Sequence, residues 1–309
     1  RIQNSRVLST RSDAEYKVSC GYILHPLRVF FYIKMQKVIT RGPRVGRCNI
    51  CGKLGNLTED HVPPKGSITP EKVGVRSLVQ TMKAVDSRIG QLFQNGVKFR
   101  TLCSTCNNVK LGSNFDPDLN DFSRKLAQIV RNSYQLSLPP KIDISLRPQR
   151  VARSVIGHLL AAEIRYDMTH PPTPEPMSAL MRQYFLNTSL DLPIDFNLYF
   201  WPYKAKRQAI FRGVGVLSVN HVVLGDFLKY FPVAFWLAYQ VPREVQRVMQ
   251  DREIPVRGTG IDDWNTVAID THPQDTFRPD WPESPDNQEV LCVNDNSCFV
   301  AESRPNRRN

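Results

Sequence analysis

The chain has 309 residues, with 41 Lys and Arg against 29 Asp and Glu, a formal net charge of +12. Its 41% hydrophobic and 23% charged composition excludes a chain that is disordered throughout. At roughly 150 residues per domain the length sets a prior of about two domains. No apolar run reaches the roughly 18–20 residues of a membrane span, so no membrane partner is expected.

Residues 1–34 precede the first methionine, Met35. Their apolar stretch from Gly21 to Ile33 is broken by His25 and Arg28 and is too short for a bilayer. This segment is expected to be a non-native or upstream extension, with the natural start at Met35. Residues 36–60 are rich in Gly, Pro and Arg and turn-like around Cys48–Gly55, and Pro63, Pro64 and Pro70 mark a loop. Val75, Leu78, Val79, Met82, Val85, Ile89 and Leu92 recur at steps near 3 and 4, which predicts a helix over Val73–Leu92. Asn95-Gly96 is a turn signal, and Val97–Leu102 reads as a short strand. A helix is expected to start near Cys106 and to be disturbed at Gly112. A second runs from Pro117 to Tyr134, with Leu119, Phe122, Leu126, Ile129 and Val130 on one face.

After Pro139-Pro140, Ile142–Leu146 alternates like a strand and Gln149–Tyr166 reads as a helix. Pro171–Pro176 is a loop, and Ser178–Leu186 a short helix. Phe196–Tyr203, Ala209–Val219, Val222–Leu224 and Val233–Tyr239 are rich in aromatic and β-branched residues and predict one antiparallel sheet. Beyond Asp251 the composition turns acidic and Pro-rich, with a final hairpin expected across Asn294-Asp295-Asn296, flanked by Cys292 and Cys298. The expected class is α+β. A small domain occupies 35–135, an α+β domain 136–255, and a loop-rich acidic tail 256–309.

The positive charge is unevenly placed. Residues 1–150 hold 25 Lys and Arg against 10 Asp and Glu, whereas residues 151–309 hold 16 against 19. The first half therefore suits an anionic partner, nucleic acid first among them. The seven cysteines include two C-x-x-C pairs, and an odd total argues against a fully disulfide-bonded secreted chain. A reducing, cytoplasmic setting with a metal site is the better reading.

Cys48-Asn49-Ile50-Cys51 and Cys103-Ser104-Thr105-Cys106 are two knuckles of the kind that close a tetrahedral four-thiolate zinc site. A simple zinc ribbon separates such pairs by about 15–20 residues. Here the interval from 52 to 102 carries Glu59-Asp60-His61-Val62-Pro63-Pro64-Lys65. After the second knuckle come Asn107, Asn108, Lys110, Gly112, Ser113 and Asp116.

With these residues the sequence resembles the HNH nuclease family in its cysteine-stapled ββα-metal form, over about residues 45–125. The resemblance implies a zinc-stabilised ββα-metal domain and a metal-dependent endonuclease acting on DNA, with a role in bacterial or phage defence or in a mobile element. It implies His61 as general base, since imidazole titrates near neutral pH. It implies Asp60 as an oxygen ligand for Mg2+ or Mn2+. The last His of the family's name is replaced by Asn107, whose carbonyl would be the second ligand. The orienting Asn is not at its usual place, where Lys98 stands, which leaves Asn95 and Asn108 as candidates. Adjacent strand residues face opposite ways, so Asp60 and His61 would share a site only if the backbone turns there.

Other readings stand beside these. Asn107 and Asp116 are also natural helix caps. Lys65, Lys98, Arg100 and Lys110 are candidate phosphate contacts, and Arg41, Arg44 and Arg47 would hold a nucleic-acid backbone without reading sequence. His158, His170, His221 and His272 stand alone and carry no assigned chemistry. The C-terminal half is left to a protein partner or a second copy of the chain. The alternative to a nuclease is a non-catalytic zinc module that binds nucleic acid or protein.

Overall fold

A computed structural model describes residues 38–82, 91–133, 137–164, 176–218, 221–271, 290–292 and 297–303. The extension 1–34, Met35, the turn Asn294-Asp295-Asn296, His170 and His272 lie outside the described residues. The fold is mixed α and β, and every sheet is antiparallel.

The basic N-terminal part builds a three-stranded sheet in the order β1 (Val45–Arg47), β2 (Leu54–His61), β5 (Lys98–Cys103). The first C-x-x-C knuckle is the tight turn between β1 and β2. Its Gly52 sits at φ 71°, a conformation glycine adopts without steric cost, and donates its N–H to the Cys48 carbonyl at 2.8 Å. β5 pairs with β2 and delivers Cys103, and the chain then enters a helix that carries Cys106. That helix, Thr105–Phe115, has π geometry throughout rather than a local disturbance at Gly112. The wide turn shows at its end, where the Asp116 N–H donates to the Leu111 carbonyl five residues back.

The larger sheet runs β4 (Gln91–Phe93), β3 (Val73–Ser77), β13 (Cys298–Ser303), β8 (Gln208–Ser218), β9 (His221–Tyr230), β10 (Val233–Tyr239), β7 (Phe196–Pro202). The aromatic and β-branched runs thus form the expected sheet, with β9 longer than Val222–Leu224. Three expectations are corrected. Val73–Ser77 is a strand, because Val-Gly-Val alternates into the sheet beside β13, more than 200 residues away; among the described residues the expected helix is Leu78–Met82, α1, and Gln91–Phe93 is a strand. The final hairpin does not form between its two arms. β12 (Val290–Cys292) and β13 both pair with β8, at Val214–Val216 and Gln208–Phe211, so they lie end to end along one strand. The tail also supplies β11 (Asn265–Asp270), which pairs with β6 (Lys141–Leu146), so three of its segments are strands rather than loop.

The helices fill the space between sheets. α2 (Asp116–Asn132) and α4 (Pro176–Leu186) pack with α3 (Pro148–Ala161); α5 (Arg243–Met249) ends in a 3-10 turn, Gln250–Arg252. α3 is buried at every residue except Arg150, and its apolar residues share that burial with Gln149, Arg153, Ser154 and His158. Gly157 permits its closest approach, since a Cβ there would sit 2.4 Å from Leu111 and 2.6 Å from Phe185. Buried apolar residues from β5, α2, α3, β7, β10 and β13 share one core. No helix among the described residues is long and apolar enough to cross a membrane.

The frame of the first knuckle is tied directly to α3. The Asn49 amide donates to the Leu160 carbonyl at 2.9 Å and also to that of Glu163, and the Thr101 hydroxyl donates to the Ala161 carbonyl at 2.7 Å. These are carbonyls that a helix C-terminus leaves without partners inside the helix.

Candidate functional site

Cys48, Cys51, Cys103 and Cys106 bring their sulfurs within 4.8 Å of one another, the one such group of metal-binding side chains among the described residues. Cys51 Sγ and Cys103 Sγ are 3.8 Å apart. A zinc–sulfur bond of about 2.3 Å in a tetrahedron sets sulfurs about 3.8 Å apart, so the residues fit zinc. Without a cation the thiols cannot all ionise. A hydrogen bond from Cys106, opposed by burial, holds Cys48 down at about 5; burial pushes Cys51 up to about 11; the bond to Cys48 and then burial push Cys106 up. A divalent cation removes that conflict by stabilising every thiolate together.

Asp60 and His61 are the last two residues of β2, so the turn expected between them is absent and their side chains leave opposite faces of the strand. Asp60 is buried and His61 half-buried. The turn follows at once, with a cis peptide between Val62 and Pro63. Asn107 projects from the π-helix onto the same strand. Its amide nitrogen donates to Thr58 Oγ1 at 2.9 Å and to the Glu59 carbonyl at 3.2 Å, and the carbonyl oxygen of the side chain takes part in neither bond. Asn107 therefore does not cap its helix; Ser104 stands at that position.

His61 is held toward its neutral form. The Asn95 backbone lies beside the ring, and Nε2 is buried with no hydrogen-bond partner. Burial first, and the Lys98 ammonium second, hold its pKa below the ordinary histidine value. Lys98 lies directly across the ladder from His61, and the positive charge of Lys65 adds to the effect. Asn95 thus meets His61 through its main chain. Asn108 is exposed and donates to Ser104 Oγ at 3.0 Å. Arg100 is committed to Glu59 at 3.1 Å, and Arg41 approaches the same carboxylate at 3.5 Å. The Arg47 guanidinium donates to the Gly52 carbonyl at 3.2 Å. Lys65 is exposed, and Lys110 is half-buried on the π-helix. A cleft of about 650 Å3 is lined by Thr40, Arg41, Gln94, Asn95, Gly96 and Lys98 among others, and His61 is not part of its lining.

His158 belongs to this neighbourhood although it lies nearly a hundred residues away in sequence. It is fully buried on α3. Its Nδ1 is 2.9 Å from Asp60 Oδ2, and its Nε2 is 3.0 Å from Asp116 Oδ1. Ser154, one turn earlier, donates its hydroxyl to the same Asp116 oxygen at 2.7 Å. A ring between two carboxylates donates from both nitrogens and is an imidazolium. Burial opposes that charge, but Asp60 and Asp116 outweigh it and push the pKa up to about 10. Burial likewise opposes ionisation of Asp116, yet the charge and hydrogen bond of His158 and the Ser154 hydroxyl carry it below the usual value. Asp116 spends its carboxylate on α3 rather than as a cap. The one sequence signal for His158 is the row Arg150, Ser154 and His158, each one turn from the next along α3.

No family model, curated protein or solved structure matches the chain at a significant level.

Proposed function

We propose that the chain is a metal-dependent endonuclease of the HNH type that hydrolyses phosphodiester bonds in DNA. The observation that carries this reading is His61, whose Nε2 is buried and unpartnered, beside the Asn95 backbone and across the ladder from Lys98. A neutral ring with that nitrogen unpartnered is left able to accept a proton. The surroundings suit it. The antiparallel pair β2 and β5 is stapled by the cysteines and followed by a helix, from which Asn107 bonds back to Thr58 and Glu59, the residues just before Asp60.

In this reading His61 Nε2 takes a proton from water as the water oxygen attacks phosphorus. The bond to the 3′ oxygen breaks, giving a 5′-phosphate and a 3′-hydroxyl that takes its proton from solvent. Asp60 and Asn107 oxygens would hold Mg2+ or Mn2+, hard cations that prefer oxygen donors. Such a cation, when bound, polarises the phosphate and stabilises the leaving oxygen. Zinc holds the frame and takes no part in the chemistry. Lys98 and Lys65 place positive charge beside the base, where a phosphate backbone would pass.

The test is cleavage of plasmid DNA with Mg2+ or Mn2+, beside the same reaction in chelator and with Asp60→Asn. Cleavage that requires the cation and Asp60 is the expected result. No cleavage with either metal would favour a non-catalytic zinc module that binds nucleic acid or protein.

A further inference from the structure

We infer that His158 is the positioning residue for Asp60, setting the orientation in which that carboxylate meets its cation. The inference rests on the reading of Asp60 as a ligand and deepens it.

The geometry is specific. Asp60 sits near the end of β2, next to the turn at Val62-Pro63, where little of the strand follows to hold it. A carboxylate there has two oxygens and a free torsion. His158 Nδ1 holds Oδ2 at 2.9 Å, which fixes the plane of the group and leaves Oδ1 as the oxygen for a cation. His158 is itself held by Asp116 Oδ1 on Nε2, and that oxygen also accepts from Ser154. The ring therefore cannot swing away from Asp60 without breaking a second contact. Ligating carboxylates commonly depend on such an outer hydrogen bond, and its loss costs about 10–100-fold in metal affinity or activity.

The helix that presents His158 is fixed to the other metal frame. The carbonyls of Leu160 and Ala161, the second and third residues after His158 along α3, accept from Asn49 and Thr101. Asn49 lies inside the first cysteine knuckle, and Thr101 is on β5 two residues before Cys103. The cysteine frame and α3 thus grip Asp60 from both ends, one through β2 and the other through His158. An apolar side chain would fill the same volume with no desolvation cost, so packing alone gives no reason for a fully buried imidazole hydrogen-bonded at both nitrogens.

Two variants separate positioning from packing. The amide nitrogen of asparagine reaches the place of Nδ1, and that of glutamine the place of Nε2. His158→Asn keeps the contact with Asp60 and gives up Asp116; His158→Gln does the reverse. Mn2+ affinity is measured for each by titration, with zinc content and melting temperature recorded alongside. The expected result is an affinity within about threefold of wild type for His158→Asn and weaker by about 10–100-fold for His158→Gln, at equal zinc content. Wild-type affinity in His158→Gln, or equal losses in both variants, would overturn the inference. The contact has a further readout that needs no divalent cation. Asp60→Asn and His158→Gln should shift melting non-additively, and additive shifts would overturn the inference while leaving the nuclease reading standing. Mn2+ affinity unchanged by Asp60→Asn would overturn the role of Asp60 as ligand, and the positioning role with it.

Discussion

His61 and His158 are the same residue type in opposite states, and their partners decide which. His61 faces two lysines and the Asn95 backbone and is half-buried, so the neutral ring is favoured. His158 faces two carboxylates and is fully buried, so the charged ring is favoured even against desolvation. A depressed pKa keeps the neutral, proton-accepting form of His61 in place at pH values where an ordinary histidine is already protonated. The acid limb of a pH–rate profile for cleavage should therefore lie below pH 6.5, the ordinary histidine value. A limb at or above that value would contradict the placement of Lys98 and the burial of the ring. The residue scale is also where sequence reading reaches furthest and then stops. The four-cysteine cluster was legible because the spacing within two short motifs is itself the signal, and the same kind of local spacing singled out Asp60-His61 as a candidate. His158 was not, because its meaning comes from two carboxylates 98 and 42 residues away.

At the scale of elements, local pattern predicted local partners and failed where the partner was distant. The helices α2, α3 and α4 follow from apolar periodicity, since each buries a face or its whole circumference. Val73–Ser77 was misread because an alternating strand of five residues, continued by a real helical turn, mimics steps of three and four. β11, β12 and β13 were hidden in an acidic, Pro-rich composition, and each is paired with a strand at least 74 residues earlier. The π-helix carries both Cys106 and Asn107, so the zinc frame and the candidate cation ligand share one element. That link predicts how metal removal should act. Purified protein should carry about one zinc per chain, and stripping it, or replacing Cys103 by Ser, should lower the melting temperature by on the order of 10 °C. Folded, fully stable protein with no bound zinc would contradict the four-thiolate site.

Across the whole molecule, the charge split of the sequence acquires a location. The basic first half forms the cysteine-stapled sheet and the surroundings of His61, while α3 and the larger sheet come mostly from the half with a slight acidic excess. The two halves share one core, with β13 inserted between β3 and β8 and α3 bonded to the first knuckle. Sequence composition separates such halves readily, because charge is read residue by residue. It does not show that they are packed together, because burial depends on contacts across the chain. On this account the C-terminal half supplies the helix that steadies Asp60, and the N-terminal half supplies the base. The measurement that tests the account most directly is the single-turnover rate of duplex DNA cleavage in Mn2+ by wild type and by His61→Ala at matched zinc content. Loss of a general base should lower that rate by about 10²–10⁴-fold. Cleavage by wild type that His61→Ala leaves unchanged would contradict the assignment of the base.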